Sequence, residues 1–415
     1  MTSNIPITIV GGGLAGLCLA NALNTVGINV EVFEAALELN EIGAAVNISP
    51  NATRVLQALR LNDEIEAAGD HGAGLFNRNM QTGDPIDTGK PKNGPAPWSS
   101  TQYRFHRADL LGILAKNVDP NSIRLGHRLI SAAEYSDRVE LIFSNGVTHD
   151  AKFVVGADGI RSLLRQTLYG DDNPSYTGQM VWRTLLPGRD VPTELLEPTG
   201  QIQWLGPGRH FLAYFIRRGE LVNVVTQQDT SAWVDEGWSM PGDPDEMRLS
   251  FPNPEPRLAK ILGLVTECSK WGLFTRPITE NWGHGRIQLI GDAAHAMLPN
   301  AGQGACQGFE DGYILARWLD AVADPIEAFR NFRSVRIPRV HAVQRFSMAA
   351  AKFKHMDNAD KQKSLIDGSR GIVLGDTAWI STFDPVADWD KDPLVPNIDY
   401  SDFEPEPLGQ IEIAD

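Results

Sequence analysis

The sequence predicts an α/β fold in which a parallel sheet flanked by helices is interrupted by an inserted antiparallel sheet. Three observations carry this. A strand, a glycine turn and a helix open the chain between Ile5 and Val26. A run from Gln179 to Val225 alternates like strands and is rich in Trp, Tyr and Phe. A short apolar strand from Arg286 to Ile290 then returns to a Gly-Asp ending.

The opening unit is the most explicit. Ile5 to Val10 is apolar, Gly11, Gly13 and Gly16 form a G-x-G-x-x-G, and Leu14 to Val26 continues with helical spacing. A second strand, Ile28 to Phe33, ends at Glu34, roughly twenty residues past the first glycine, where a dinucleotide fingerprint places its acid. Gly11 permits the tight turn, Gly13 lets backbone N–H groups approach a pyrophosphate, and Gly16 lets the helix pack on the strand. Leu14 and Ala15 complete this cradle at the helix N-terminus, whose free donors and positive dipole end suit phosphate. Glu34 accepts from a ribose hydroxyl in this arrangement and repels a 2′-phosphate, which favours FAD or NAD over NADP. The bland alternative, a glycine turn in any α/β sheet, leaves Glu34 without a purpose.

Composition narrows the class. With 415 residues, 42% hydrophobic and 21% charged, the chain is long enough for more than one domain. Its net charge of −15 argues against nucleic acid and anionic membrane surfaces. Ile5 to Leu23 imitates a signal peptide, but no Lys or Arg precedes Arg54, so the chain reads as soluble and cytoplasmic. Cys18, Cys268 and Cys306 form no C-x-x-C, and the nine histidines show no paired-ligand spacing, so no metal site is expected. Cys18 reads as core.

Further along, Gly72 to Ser100 has the wording of loops. A helix is expected from Tyr103, with Arg104 and Arg107 at its entrance; Arg107 suits a bidentate clamp on pyrophosphate, or is a plain surface arginine. Val139 to Phe143 and Val147 to Val155 read as a hairpin turning at Asn145-Gly146 and leading into Gly156-Ala157-Asp158-Gly159. In the inserted sheet, Trp182, Trp204, Phe211, Tyr214 and Phe215 offer walls for an aromatic ligand, and Pro241 to Pro256 reads as a connection. On the run RHFLAYF, His210, Leu212 and Tyr214 share one face of a strand, while Arg209 points away. Arg183 and Arg209 read as structural ion-pair partners with the capacity to hold a carboxylate. Asp384 to Asp415 is acidic and proline-containing, a tail rather than a domain.

The order GGGLAG, HRADL, GADGIRS, GDAAHAMLP and AGQG resembles the single-component FAD-dependent aromatic hydroxylases, the salicylate-hydroxylase-like branch of the para-hydroxybenzoate hydroxylase fold, from the N-terminus to about Ser347. The resemblance implies a discontinuous FAD-binding domain (1–75, 101–178 and 276–350), a substrate domain (76–100 and 179–275) and a C-terminal helix with tail (351–415). It implies that Asp292 holds a ribityl hydroxyl. Pro299, Gly302, Gln303 and Gly304 then border the flavin ring ahead of a helix from about Ala305 to Leu319. It implies that Asp158 organises its loop more than it binds ligand, with Arg161 adding positive charge nearby. His295 reads as a histidine satisfied by backbone partners. His210 and Tyr214 are the implied catalytic pair, binding and deprotonating a substrate hydroxyl.

The implied activity is hydroxylation of a phenolic aromatic, with or without loss of CO₂, through a flavin C4a-hydroperoxide. FAD is held tightly without a covalent bond, NADH or NADPH is a transient co-substrate, and O₂ is the oxidant. No second G-x-G-x-x-G serves the nicotinamide coenzyme. The expected oligomeric state is monomer or homodimer. Competing readings are a flavin enzyme of the same fold acting on a non-phenolic substrate, a non-catalytic escort protein, and an NAD-dependent dehydrogenase, which leaves GDAAHAMLPNAGQG without a task. The chain departs from the family wording at Ala45, Phe215 and Ala296.

Overall fold

A computed structural model describes residues 6–39, 45–72, 74–86, 102–170, 173–198, 200–230, 240–357, 362, 378–393, 395, 396 and 398. Much of the loop expected at 72–100, and most of the tail expected at 384–415, lies outside these residues.

The parallel sheet forms around Ile7–Val10. Val30–Phe33 pairs with it on one side and Val154–Gly156 on the other, extended by Ile123–Arg124 and Ile287–Leu289, all parallel. A short antiparallel edge strand, Gly283–His284, closes the order. Strands buried on both faces read as continuous apolar runs, which is why Ile-Thr-Ile-Val and Val-Glu-Val-Phe were legible.

Helix Leu14–Thr25 packs against helix Gly304–Ala321, and glycine sets their separation. A Cβ on Gly308 would meet Ala15 Cβ at 3.0 Å, and one on Gly312 would meet the Leu19 backbone N at 2.8 Å. Helix Pro325–Lys354 packs on the second of these helices. Its start is set by Asp324, which accepts from Ile326 N at 3.0 Å, and by Pro325 in the first turn. The boundary expected at residue 350 falls inside this helix.

The inserted sheet has seven strands, in the order Met240–Gly242, Cys268–Thr275, Ser175–Pro187, Leu221–Asp229, Arg209–Ile216, Gln201–Gly206 and Phe76–Asn79. Only the last pair is parallel. One face packs on helices Pro244–Leu249 and Pro256–Gly263 through Met247, Leu258, Ile261 and Leu262.

Three sequence expectations need correction. Tyr103–His106 is a buried strand paired with Ala45–Ile48, and the helix starts at Arg107, because tertiary pairing overrides the local helical pattern. The expected hairpin partner divides: Thr148–Ala151 pairs back on Val139–Phe143, whereas Val154–Gly156 joins the parallel sheet. The Pro- and Asp-rich stretch after Pro241 is not a bare connection. Asp243 accepts from Asp245 N at 2.8 Å and caps a helix that has Pro244 in its first turn, so the same residues that read as loop are helix-start signals.

Candidate active site

The glycine turn fits a pyrophosphate. A Cβ on Gly11, whose φ is +111°, would lie 2.2 Å from Ala157 O, and one on Gly16 would lie 2.0 Å from Gly11 O, so both positions are closed by backbone. Gly13 differs: nothing lies within 4 Å of its missing Cβ, so the middle of the turn opens outward at the N-terminus of helix Leu14–Thr25. Glu34 fixes the turn from the neighbouring strand, accepting from Gly12 N at 2.6 Å and from Ala36 N at 2.7 Å. Leu14 is buried, and Ala15 sits against Gly291 and Gly308.

Asp158 accepts from Leu163 N and Leu164 N at 2.9 and 3.3 Å and thereby shapes its own loop. Arg107 opens its helix and lies near enough to Asp292 for the two charges to interact; burial draws the guanidinium below its ordinary value and Asp292 opposes this. Asp292 is exposed at the start of the short Asp292–His295 helix, directed into a cavity that Pro299 and Asn300 also line. Gly302, in the left-handed region at φ +64°, and Gly304 have open space where a Cβ would stand. The side chain of Gln303 is committed elsewhere, bonding Ser49, Asn51 and Gln307, and its carbonyl accepts from Gln307 N at 2.8 Å. The two open glycine edges, the exposed Asp292 carboxylate as acceptor and the half-buried Arg107 guanidinium as donor fit the needs of FAD.

His295 is buried as expected, but its partner is not backbone. Its Nε2 meets Asp311 Oδ2, within a fully buried cluster where Arg336 joins Asp311 to Glu310 and Arg339 reaches Glu310 at 2.7 Å. Cys18 is core, and burial pushes both the Cys18 and Cys306 thiols up, the latter to about 12.

The cavity, about 560 Å³, lies between the inserted sheet and the loop after Asp292. Strand register explains its wall. Leu205, His210, Gln227, Val181 and Trp271 stand directly opposite one another in one row, and Gln203, Leu212, Val225, Arg183 and Ser269 form the next row on the same face. The cavity spans these two rows. Tyr214 stands in a third row with Gln201 and Asn223, beyond the lining residues. It hydrogen-bonds Asn47, lies under the Arg104 guanidinium at 5.9 Å, and is pushed up to about 12 by burial. His210 and Tyr214 thus share a face without sharing the cavity.

The aromatic wall expected from the sequence turns the other way. Trp204, Phe211 and Trp182 form a row on the opposite face, inside the apolar core, with Trp204 Nε1 donating to Glu255 at 2.7 Å. Trp271 and Phe274 supply the aromatic surface of the cavity instead. Arg209 faces away, as expected, donating to Pro207 O and Ser250 O. Arg183 is not an ion-pair partner among the described residues. It lines the cavity 4.6 Å above the Trp271 ring, with Nε buried and unbonded, and burial draws it down to about 10.

Sequence reasoning missed four polar residues here. Gln203 and Gln227 are almost wholly buried, line the cavity, and have amide atoms without a partner among the described residues. Their signal was available: two glutamines at inward positions of apolar strands. Lys354 and His355 gave none, since the end of the long helix reaches the sheet only in three dimensions. Lys354 Nζ donates to Asn300 O at 3.0 Å at the cavity wall, and burial draws its ammonium down to about 8. His355 Nε2 lies 2.9 Å from His210 Nδ1. Burial first, then Lys354 and His355, hold His210 well below its ordinary value.

Among the described residues no group of three or more metal-ligating side chains occurs, and no helix is long and apolar enough to cross a membrane. Residues 4–347 match the family described as FAD binding domain. The chain is 35% identical over 393 residues to a 3-amino-4-hydroxybenzoate 2-monooxygenase of Streptomyces platensis, covering 92% of this chain and 98% of the relative. It is 31% identical to 3-hydroxybenzoate 6-hydroxylase 1 of Aquipseudomonas alcaligenes, covering 84% and 89%. Among solved structures, a salicylate hydroxylase in complex with substrate superposes with a TM-score of 0.79 at 26% identity, covering 95% of this chain and 99% of that one. With the glycine cradle, Asp292 and the inserted sheet in place, the chain belongs to the FAD-dependent aromatic monooxygenases, the group A flavoprotein hydroxylases.

Proposed function

We propose that this monooxygenase hydroxylates a phenol that also carries a carboxylate, with the hydroxyl at His210 and the carboxylate at Arg183. The observation that carries this is the pairing on one sheet face of a buried, neutral histidine with a half-buried arginine whose Nε is buried and which has no carboxylate of its own among the described residues. Two strand spacings and two residues separate their Cα positions, a diagonal of about 12 Å. That is comparable with a hydroxybenzoate plus a hydrogen bond at each end. The hydroxybenzoate substrates in the names of the two relatives support the same chemistry.

FAD, when bound, supplies the oxygen-transfer chemistry, with a nicotinamide coenzyme as transient reductant and O₂ as oxidant. The chain's own residues prepare the ring. His210 removes the hydroxyl proton, because a phenolate is a far stronger carbon nucleophile than a phenol. The Lys354 ammonium beside His210 favours the negative charge that results. Gln203 and Gln227 present amides to ring substituents, and Trp271 and Phe274 exclude water. Tyr214 acts at one remove, one row beyond Arg183, where its hydroxyl bonds Asn47. In this reading residues 76–100 and 179–275 are the substrate unit, and 1–75, 101–178 and 276–350 the cofactor unit.

The test is oxidation of NADH and NADPH by the FAD-loaded protein with a panel of hydroxybenzoates and uncharged phenols, with product masses. Carboxylated phenols should stimulate oxidation and gain one oxygen, or exchange carboxylate for hydroxyl. Equal turnover of uncharged phenols would remove the carboxylate from the reading.

A further inference from the structure

His210 is buried to 4% exposure, yet it is the end of a chain of groups that reaches the surface. Its Nδ1 lies 2.9 Å from His355 Nε2, and His355 Nδ1 lies 2.7 Å from Asp229 Oδ1. The His355 side chain is 4% exposed and that of Asp229 is 52% exposed. Burial acts to raise the Asp229 carboxyl, but the hydrogen bonds from His355 and Gln179, with Arg209 nearby, outweigh it, so Asp229 stays below its ordinary value and is ionised.

With both rings neutral, donor and acceptor matching then assigns their protons, the Gln179 amide that lies 3.2 Å from His355 Nδ1 being taken up by Asp229. An ionised Asp229 only accepts, so His355 carries its proton on Nδ1. Its Nε2 is therefore a lone pair, and the proton between the two rings belongs to His210 Nδ1. The remaining nitrogen of His210, Nε2, is left as an acceptor on a side chain that lines the cavity. The surface carboxylate thus sets the tautomer that makes His210 a base.

We infer that Asp229, His355 and His210 form a proton relay that carries the substrate hydroxyl proton from the cavity to solvent; this rests on the reading of His210 as the base. As the phenol O–H bond breaks, an N–H bond forms at His210 Nε2. The His210 Nδ1 proton passes to His355 Nε2, the His355 Nδ1 proton passes to Asp229, and Asp229 releases it to water. The hydroxylated product needs a hydroxyl proton before it leaves, and the same groups run in reverse supply it and restore both tautomers.

The surroundings make the relay necessary. A proton retained on His210 would be a buried cation beside Lys354 of the long helix. On His355 the charge is better placed, at the C-terminal end of helix Pro325–Lys354 and against Asp229. Gln179, from the Ser175–Pro187 strand, donates to Asp229 at 2.9 Å, and Arg209 adds positive charge near the same carboxylate.

The test uses FAD-loaded protein in two arms. Without substrate, ¹⁵N-histidine NMR should show His210 and His355 both protonated at Nδ1 and bare at Nε2; His210 protonated at Nε2 instead would overturn the relay. With 3-hydroxybenzoate, stopped-flow absorbance should show the bound phenol ionising. Asp229→Asn should slow that step about tenfold, less than the roughly hundredfold or greater loss expected on removing the base itself. Substrate affinity and flavin content should stay unchanged, and Asp229→Glu should restore most of the rate. An unaltered ionisation rate in Asp229→Asn would overturn the relay alone. Absence of any phenolate in the wild type, with the tautomers in place, would overturn the base reading and the relay with it.

Discussion

Arg336 and Asp311 meet in the interior, Nε of the one 2.8 Å from Oδ1 of the other, with neither side chain exposed to solvent. Their bond ties helix Pro325–Lys354 to the glycine-bearing helix Gly304–Ala321 behind the open edge at Gly302 and Gly304. Burial raises the Asp311 carboxyl, but His295 and Arg336 outweigh it and hold it at about 2 against an ordinary 3.8. A carboxyl depressed on folding stabilises the protein at pH values above its unfolded pKa and loses that stabilisation as pH falls through the folded one. Asp311 should therefore contribute about 2 kcal/mol at neutral pH, lost between about pH 4 and pH 2. Acid titration of thermal stability checks this. Arg336→Met, which leaves Asp311 and Glu310 without that partner, should destabilise by about 3–5 kcal/mol in denaturant unfolding.

Gly11 and Gly13 should fail differently. Gly11→Ala places a Cβ against the Ala157 carbonyl in a conformation that L residues rarely adopt, so stability itself should fall. Gly13 has an ordinary φ of −75° and open space, so Gly13→Val should fold with a near-normal Tm yet purify without flavin. Flavin absorbance beside a melting curve separates the two outcomes, and full flavin occupancy in Gly13→Val would move the pyrophosphate elsewhere.

Arg183→Leu should weaken carboxylated substrates selectively. Losing a charge-assisted hydrogen bond of about 1.5–3 kcal/mol corresponds to roughly a tenfold to hundredfold rise in KM. An uncharged phenol should change little. Steady-state kinetics with matched pairs, with and without carboxylate, reads the difference directly.

Burial draws the Lys354 ammonium down to about 8, so its charge is present well below that pH and is lost as pH rises through it. Ionisation of a bound hydroxybenzoate at its phenol, which that charge favours, should lose this help as pH rises through 8. Lys354→Met should flatten that dependence. A profile unchanged by the substitution would remove Lys354 from stabilising the phenolate.

What was legible in the sequence was whatever depends on neighbours in the chain. The Gly11 to Gly16 turn, Glu34 closing the second strand, and His210 and Leu212 on one strand face all follow from local periodicity. Tyr103 was misread because its strand exists only through pairing with Ala45–Ile48, far away in sequence. The Trp182 and Trp204 wall was assigned to the wrong side because alternation says which residues share a face, and not which face meets the ligand. His355 and Asp229 gave no signal, since 145 residues separate His355 from His210 and only the end of the long helix brings them together. His295 was read as backbone-bonded because its carboxylate partner lies on another helix.

The two-row wall of the cavity also says how this enzyme's chemistry can be redrawn. Strand-to-strand hydrogen bonds use the backbone alone, so the side chains at Val181, Gln203, Leu212 and Val225 are tiles that can be exchanged without disturbing the mortar. A combinatorial library confined to those four positions leaves His210, Arg183 and the FAD-binding edge untouched, and new aromatic substrates should be gained there rather than in the loops.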